Sequence, residues 1–378
     1  MNLGCEIMLV VGEASGDLHG AQLVEAVLKR DPSVRFFGVG GEKLSRTGFE
    51  VLCNVSEITG MGLLELLGNL RRIRDVYCLL RCALRERRPA LLVLIDFPDF
   101  NLRLARYAKS LHIPVLYYVS PQVWAWRRGR VRQIARWVDQ MAVVFPFEAP
   151  FYEKKNVKAQ FVGHPLLDTV CVKEGRRSVL TKLGLDPSTR TIALLPGSRR
   201  KEVGFHLPVM LDAAEALSQM QPVQFLCIRA STIDPAELEG RVKSARLSIP
   251  IVEKDRYDAL AASDLVWTAS GTATLETALL LKPMIIVYRL SWLTYFLARF
   301  LVRVRHVGMV NLIAGEKIVP ELIQSDFNVA RMIQESQLIL EDRAKRDSIV
   351  EKLSELRKQL GQPGASDRVA TLALSMIG

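Results

Sequence analysis

The chain has 378 residues, 49% of them hydrophobic, which is enough for two domains with a core each. Lysine and arginine outnumber aspartate and glutamate by 51 to 40, and the resulting net charge of +11 calls for an anionic partner. Several classes are excluded. No uncharged apolar run reaches the roughly 18 residues of a membrane-spanning helix, neither RNA-recognition nor zinc-finger patterns occur, and the six cysteines form no C-x-x-C pair and no metal-ligand grouping with the five histidines.

The first residues, MNLGCEIMLVVGEASGD, pass from a short apolar run straight into a glycine turn, with no cationic leader and no cleavage-type site. They predict a first β-strand near 6–11 rather than a secretion signal, and with the cysteine usage they point to a reduced, cytoplasmic setting. The turn GEASGD at 12–17 precedes a helical pattern over 18–30 and puts Glu13, Ser15 and Asp17 at the carboxyl edge of the sheet. It is not G-x-G-x-x-G, and no acidic residue ends the second strand, near 34–39, where a dinucleotide site requires one.

Residues 62–88 carry apolar side chains at helical spacing, with Leu63, Leu66, Leu67, Leu70, Ile73, Tyr77, Leu80 and Leu84 on one stripe and five arginines on other faces. Two readings fit: a helix at an anionic membrane surface or against an acylated anion, and an amphipathic helix packed on its own sheet. A second stretch, 291–310, mixes Trp292, Phe296 and other aromatics with arginines, and its repetition of the pattern favours lipid contact.

In LLVLIDFPDFN at 91–101, Asp96 ends a buried strand. Asp99 has an easy role as a helix cap, whereas Asp96 is a candidate general base, with a turn aspartate as the alternative. A helix over 100–111 and a strand over 114–119 lead to YYVSPQVWAWRRGRVRQIARW, where Trp124 and Trp126 alternate beside Arg127, Arg128, Arg130 and Arg132. That mixture suits a sugar face and an anionic head group, or a loop anchored to its sheet. Strands near 141–145 and 160–162 end the first half, and the polar, turn-rich 165–188 reads as the linker.

The second half restarts with strands near 191–195, 223–228, 249–252, 264–268 and 284–288, and strands alternating with helices in both halves predict parallel sheets. TIALLPGSRRKEV places Arg199 and Arg200 after a Pro-Gly-Ser turn, and arginine's planar fork suits phosphate oxygens. SGTATLETALLLKPMIIVY at 270–288 is a loop of small residues opening into a helix and then a buried strand. Ser270, Gly271, Thr272 and Thr274 would let a diphosphate approach free backbone N–H groups at a positive dipole end, with Glu276 accepting from a ribose. The bland alternative is a turn capped by Thr272 or Thr274. Residues 328–376 are helical, charged and without strands.

Taken in order, GEASGD, MGLLELLG, IDFPDFN, YYVSPQVWAWR, FVGHPLLD, LLPGSR, SGTATLE and VNLIAG span nearly the whole chain, and together they resemble the lipid-A-disaccharide synthase family. The resemblance implies a glycosyltransferase of the B-type fold, two Rossmann-like domains facing across a cleft. It divides the chain into an acceptor and lipid domain at 1–168, a UDP-sugar domain at 169–345, and helices at 346–378 packing back toward the first domain. It implies UDP-2,3-diacylglucosamine as donor and 2,3-diacylglucosamine 1-phosphate as acceptor, giving a β-1,6-linked disaccharide 1-phosphate and UDP without cofactor or metal. The setting implied is the cytoplasmic face of a Gram-negative inner membrane, with the enzyme peripheral at its anionic surface.

Carried over residue by residue, the resemblance puts the essential acid on Asp96 and the nucleotide contacts on Arg199, on Ser270 to Glu276, and on Asn311 of VNLIAG. Glu13, Ser15, Asp17, Asp99, Trp124 and Arg127 then stand as acceptor-side residues, and Leu63, Leu66, Leu67, Leu70, Trp292 and Phe296 as acyl or membrane contacts. Family members also exchange C-terminal parts in a dimer, so a homodimer is a further expectation. The competing readings are another UDP-N-acetylglucosamine enzyme of the same fold, such as an epimerase, which has no use for acyl-binding surfaces, and a basic module binding membrane or nucleic acid.

Overall fold

The computed structural model describes residues 5–57, 65–121, 123, 129–291 and 306–377, without the side chains of residues 14 and 65–70. The chain divides into two compact units, Met1–Leu167 with Leu360–Gly378, and Asp168–Gln359.

The first unit alternates β1 (Glu6–Val11), α1 (Ala14–Leu28), β2 (Arg35–Gly40), α2 (Glu42–Ser45), β3 (Glu50–Asn54), α3 (Glu65–Arg87), β4 (Leu91–Ile95), α4 (Pro98–Ser110), β5 (Val115–Tyr118), α5 (Arg130–Trp137), β6 (Gln140–Val143), α6 (Glu148–Glu153) and β7 (Ala159–Phe161). Its parallel sheet runs β3-β2-β1-β4-β5-β6-β7. Strands covered on both faces read as continuous apolar runs, and β1 and β4 are of this kind, with Ile7–Val11 and Leu91–Ile95 fully buried. The strand order reverses between β1 and β4, so the turns after these two strands, GEASGD and IDFPDFN, meet at the switch point where open α/β sheets bind ligands.

Along the chain, the boundary of the two units falls within the short α7 (Leu166–Thr169). The second unit follows with α8 (Arg176–Lys182), β8 (Arg190–Leu195), α9 (Arg200–Met220), β9 (Val223–Ile228), α10 (Pro235–Val242), β10 (Ile251–Val252), α11 (Arg256–Ala262), β11 (Leu265–Ala269), α12 (Thr272–Leu279), β12 (Met284–Tyr288), α13 (Met309–Ala314), β13 (Glu321–Ile323), α14 (Val329–Glu341) and α15 (Arg343–Gln359). Its sheet, also parallel, runs β10-β9-β8-β11-β12-β13 and reverses between β8 and β11, which brings the PGSR and SGTATLE turns to its own switch point. The chain then returns to the first unit as α16 (Ala365–Ser375), which packs on α1. Arg30 reaches Asp367 at 2.7 Å, and Arg368 donates to the carbonyls of Val162, Gln362 and Pro363.

The structure revises one expectation, adds two strands and decides between two readings at one helix. Much of the 165–188 segment is no linker: the main-chain N–H groups of Lys173 and Glu174 donate to Asp258, and Arg176 pairs with Asp264 at 3.0 Å, so it is built into the second unit. Strands β3 and β13 carry no strong apolar run, the first being half exposed and the second three residues long, and both lie at sheet edges. Finally, the described half of the 63–84 stripe faces the core. Leu80 and Leu84 are fully buried, and Tyr77 sits edge-on against Phe100 at 5.8 Å. The arginines there stay outside; Arg81 lies 4.1 Å over the Tyr107 ring and Arg72 pairs with Glu57. For Leu66, Leu67 and Leu70 only the helical backbone is described, and Leu63, Trp292 and Phe296 lie outside the described residues.

Candidate active site

In the first unit the site centres on Asp96. The chain leaves β4 with two consecutive non-glycine residues in the left-handed region, Asp96 at φ +56° and Phe97 at φ +45°. Each such residue costs about 1–3 kcal/mol and persists only where its surroundings over-determine it. Here they do. Asn101, fully buried on α4, donates through Nδ2 to the carbonyls of Ile95 at 3.2 Å and Asp96 at 2.7 Å, while the Tyr117 hydroxyl donates to the same Asp96 oxygen at 2.5 Å. From the other side, Gly12 has no room for a side chain, since a Cβ there would fall 2.1 Å from that of Phe97.

The turn thus aims the Asp96 carboxylate at the first turn of α1, where a Cβ on Gly16 would lie 3.6 Å from Asp96 Oδ2. Burial, reinforced by the negative charge of nearby Glu13, pushes its pKa up to about 7. A carboxylate poised near neutrality is suited to taking a proton and giving it up again. Glu13 is exposed and stands at the N-cap position of α1 without a side-chain capping bond, and Ser15 follows in the first turn.

Two neighbouring acids are committed elsewhere. Asp17 accepts from the main-chain N–H groups of Gly41 at 2.6 Å, Lys43 at 3.0 Å and Leu44 at 3.3 Å, so it caps α2 from across the fold rather than facing an acceptor. Asp99 is not the cap of α4, a position held by Phe97; its carboxylate instead pairs with Arg130, whose side chain is 9% exposed. Trp124 and Arg127 lie outside the described residues.

In the second unit the SGTATLE turn opens α12 with Gly271 at the N-cap position, where a glycine supplies no side-chain cap. Thr274 Oγ1 points back to the Gly271 carbonyl at 2.7 Å, so neither threonine acts as the expected cap. Among the described residues nothing lies within 4 Å of where a Gly271 Cβ would stand, so an anion has room to reach the backbone at this helix start. Arg199 is the N-cap residue of α9, two-thirds exposed, with Glu202 Oε1 3.3 Å away. Glu202 also accepts from Ser198 N at 3.2 Å, fixing the turn on which Arg199 stands.

Glu276 is buried and accepts from Arg256 and, at 3.0 Å, from the Tyr257 hydroxyl. These two residues of α11 hold its carboxylate in place. Asn311 is more fully committed. Its Nδ2 donates to Val319 O and Glu321 Oε1, both at 2.8 Å, and its Oδ1 accepts from Ile318 N and Val319 N. All four hydrogen-bonding positions of the amide are filled by protein, so the side chain ties its own loop together. The same Glu321 accepts from Val307 N and Gly308 N at 3.0 Å, and Ser270 Oγ donates to Val307 O at 3.0 Å, joining this lock to the SGTATLE turn.

Sequence reading missed Asn101, Tyr117, Tyr257, Arg256 and Glu321 as site-shaping residues. Asn101 and Tyr117 stand inside motifs already singled out; Arg256, Tyr257 and Glu321 lie in ordinary polar stretches and carry no local signal. Among the described residues no group of three or more His, Cys, Asp or Glu side chains could hold a metal ion, and no helix is long and apolar enough to cross a membrane.

Comparison with known proteins places this geometry. The fold resembles that of solved glycosyltransferases, including the glycosyltransferase of kitacinnamycin (TM-score 0.67, 15% identity, all of both chains covered) and the calicheamicin glycosyltransferase (TM-score 0.64, 15% identity, 100% of this chain and 99% of that one). A UDP-GlcNAc 2-epimerase from Neisseria meningitidis shares it at TM-score 0.66 and 12% identity, over 98% of this chain and all of that one. At these identities the likeness establishes the B-type glycosyltransferase fold alone. In sequence, the lipid-A-disaccharide synthase of Syntrophus aciditrophicus is 47% identical over 98% of this chain and 97% of its own length, and that of Geobacter sulfurreducens 44% identical over 100% and 98%. The model of the lipid-A-disaccharide synthetase family matches residues 7–376, and the chain belongs to that family of glycosyltransferases.

Proposed function

We propose that the chain transfers 2,3-diacylglucosamine from its UDP conjugate to the 6-hydroxyl of 2,3-diacylglucosamine 1-phosphate, giving the β-1,6-linked disaccharide 1-phosphate and UDP. Family membership supports the reaction, and the observation that carries the mechanism is the strained turn presenting a half-buried Asp96 with its pKa raised by desolvation to about 7. Asp96 takes the proton of the acceptor hydroxyl as that oxygen attacks the anomeric carbon from the face opposite UDP. The bond from the anomeric carbon to the diphosphate oxygen breaks with inversion from α to β.

Negative charge gathers on departing UDP, and the scheme meets it with the N–H groups at the start of α12 and with Arg199. Fixed dipoles and an arginine suffice for this, so no metal enters the scheme. Glu276, held by Arg256 and Tyr257, is the ribose acceptor in this reading. The acylated substrates and the excess of basic residues support action at an anionic membrane surface on the cytoplasmic side, with the protein peripheral to it.

Steady-state turnover of the two acylated sugars tests the assignment. Asp96→Asn should lower kcat by about two orders of magnitude or more with UDP affinity kept, and chelation by EDTA should leave the wild-type rate unchanged. Near-normal activity in the variant would move the base elsewhere, and a rate abolished by EDTA would overturn the metal-free scheme.

A further inference from the structure

In the second sheet β11 lies between β8 and β12, so the cradle that follows β11 is bracketed by the turns that follow its two neighbours. One side chain joins those two turns. His206, on the second turn of α9 and fully buried, has Nδ1 2.8 Å from the carbonyl of Pro196, just past β8, and Nε2 3.0 Å from the main-chain nitrogen of Arg289, just past β12. A carbonyl can only accept and an N–H can only donate, so the proton sits on Nδ1 and Nε2 is bare. The neutral ring is therefore the one form that makes both bonds.

The surroundings fix the imidazole. Phe327 meets it edge-on at 5.7 Å and Tyr288 lies at 6.3 Å. Arg289 continues the chain of ties, its guanidinium donating to the carbonyls of Gln324 and Phe327. Gln324 in turn accepts from Leu290 N at 3.0 Å. Glu202, one turn before His206 on α9, holds Ser198 N and Arg199.

We propose that His206 is a positioning residue of the nucleotide site: its neutral imidazole staples the turn carrying Arg199 to the turn after β12, so that Arg199 and the open start of α12 meet one diphosphate. The inference rests on the reading of Arg199 and α12 as the diphosphate site. A hydrophobic side chain of similar size would fill the same space and make neither bond, so filling and stapling are separable by substitution. The charged and titratable groups facing the ring are Glu202 on its own helix and Tyr288 and Arg289 from β12 and its exit, and Arg199 from the β8 turn acts on Tyr288. Burial lowers the pKa of His206, so the staple is intact at neutral pH and is lost only on acidification.

The experiment titrates UDP by calorimetry into the full-length protein at about pH 7.5, as wild type, Arg199→Ala, His206→Leu and His206→Gln, with a melting temperature for each and kinetics with the UDP-sugar. His206→Leu should bind UDP about tenfold more weakly, as expected for two lost hydrogen bonds. It should raise KM for the UDP-sugar more than it lowers kcat, and His206→Gln, which carries one donor and one acceptor, should recover most of the affinity. A purely structural role would lower the melting temperature and leave the UDP affinity of the folded protein unchanged. Folded His206→Leu with wild-type affinity, beside a weakened Arg199→Ala, would overturn the staple and leave the site standing. Wild-type affinity in Arg199→Ala would overturn the underlying site. If His206→Leu does not fold, His206→Asn takes its place: it keeps a donor for Pro196 and is too short to bring its amide oxygen to the Arg289 N–H. A several-fold loss of UDP affinity in it supports the staple, and wild-type affinity overturns it.

Discussion

Asn101 Nδ2 donates at 2.7 Å to the main-chain oxygen of Asp96, five positions earlier in the same motif, so the residue that holds the strained turn and the carboxylate it presents come from one short segment. Tyr117, on the neighbouring strand β5, holds the same oxygen. Tyr117→Phe removes one of the two bonds and leaves the ring packed. It should cost about 1 kcal/mol of stability and lower kcat several-fold with UDP affinity unchanged. Asn101→Ala removes both Nδ2 bonds and should do more of each. Thermal melts and single-turnover rates check the pair; a variant that melts early yet turns over at the wild-type rate would show that the turn does not position the base.

Asp96→Asn makes a separate stability prediction. The Asp96 carboxyl has its pKa near 3.8 when solvated and near 7 in the fold, so between these values the folded chain keeps a proton that the unfolded chain has released. The stability this group contributes is present at low pH and is lost as pH rises through about 7. Asparagine is neutral throughout. The melting temperature of Asp96→Asn relative to wild type should therefore rise between about pH 5 and about pH 8, as differential scanning calorimetry would show.

The same raised value should appear in the rate. Only ionised Asp96 accepts a proton, so kcat/KM should fall on the acid side with a single titration near pH 7. Glu13 contributes to the shift through its charge. Glu13→Gln should move the acid limb to lower pH, and a limb that stays in place would assign it to another group.

The two switch points were legible because each needs a buried strand ending in small or acidic residues, and such strands announce themselves as apolar runs. LLVLID and TIALLPGSR are clear in this respect. What the chain does with the side chains beyond the strand ends was less legible, because it depends on partners far away in sequence. Asp17 reads as a free acid in GEASGD, yet its partners are the N–H groups of residues 41, 43 and 44. His206 reads as one of five scattered histidines, and its second partner is 83 positions away. The leucine stripe had two readings that share one periodicity, and burial of Leu80 and Leu84 decides only for its described end.

Asn311 follows from this distinction. With its amide filled by Val319, Glu321 and Ile318, it has no hydrogen-bonding position left for a nucleotide. Asn311→Ala leaves buried partners unsatisfied and should cost about 1–3 kcal/mol of stability, lowering UDP affinity through the Val307–Gly308 loop. Glu321→Gln, which replaces one of the two accepting oxygens by a donor that must face a main-chain N–H, should lower both in the same direction. Unchanged melting temperature with lost UDP binding in Asn311→Ala would point instead to direct contact.

The most direct test of the central claim is to incubate the purified chain with UDP-2,3-diacylglucosamine and 2,3-diacylglucosamine 1-phosphate and to weigh the products by mass spectrometry. The account predicts the β-1,6 disaccharide 1-phosphate with one UDP released per disaccharide, and both products formed about a hundredfold or more slowly with Asp96→Asn. No disaccharide from the acylated pair, or turnover of water-soluble UDP-N-acetylglucosamine in its place, would contradict it.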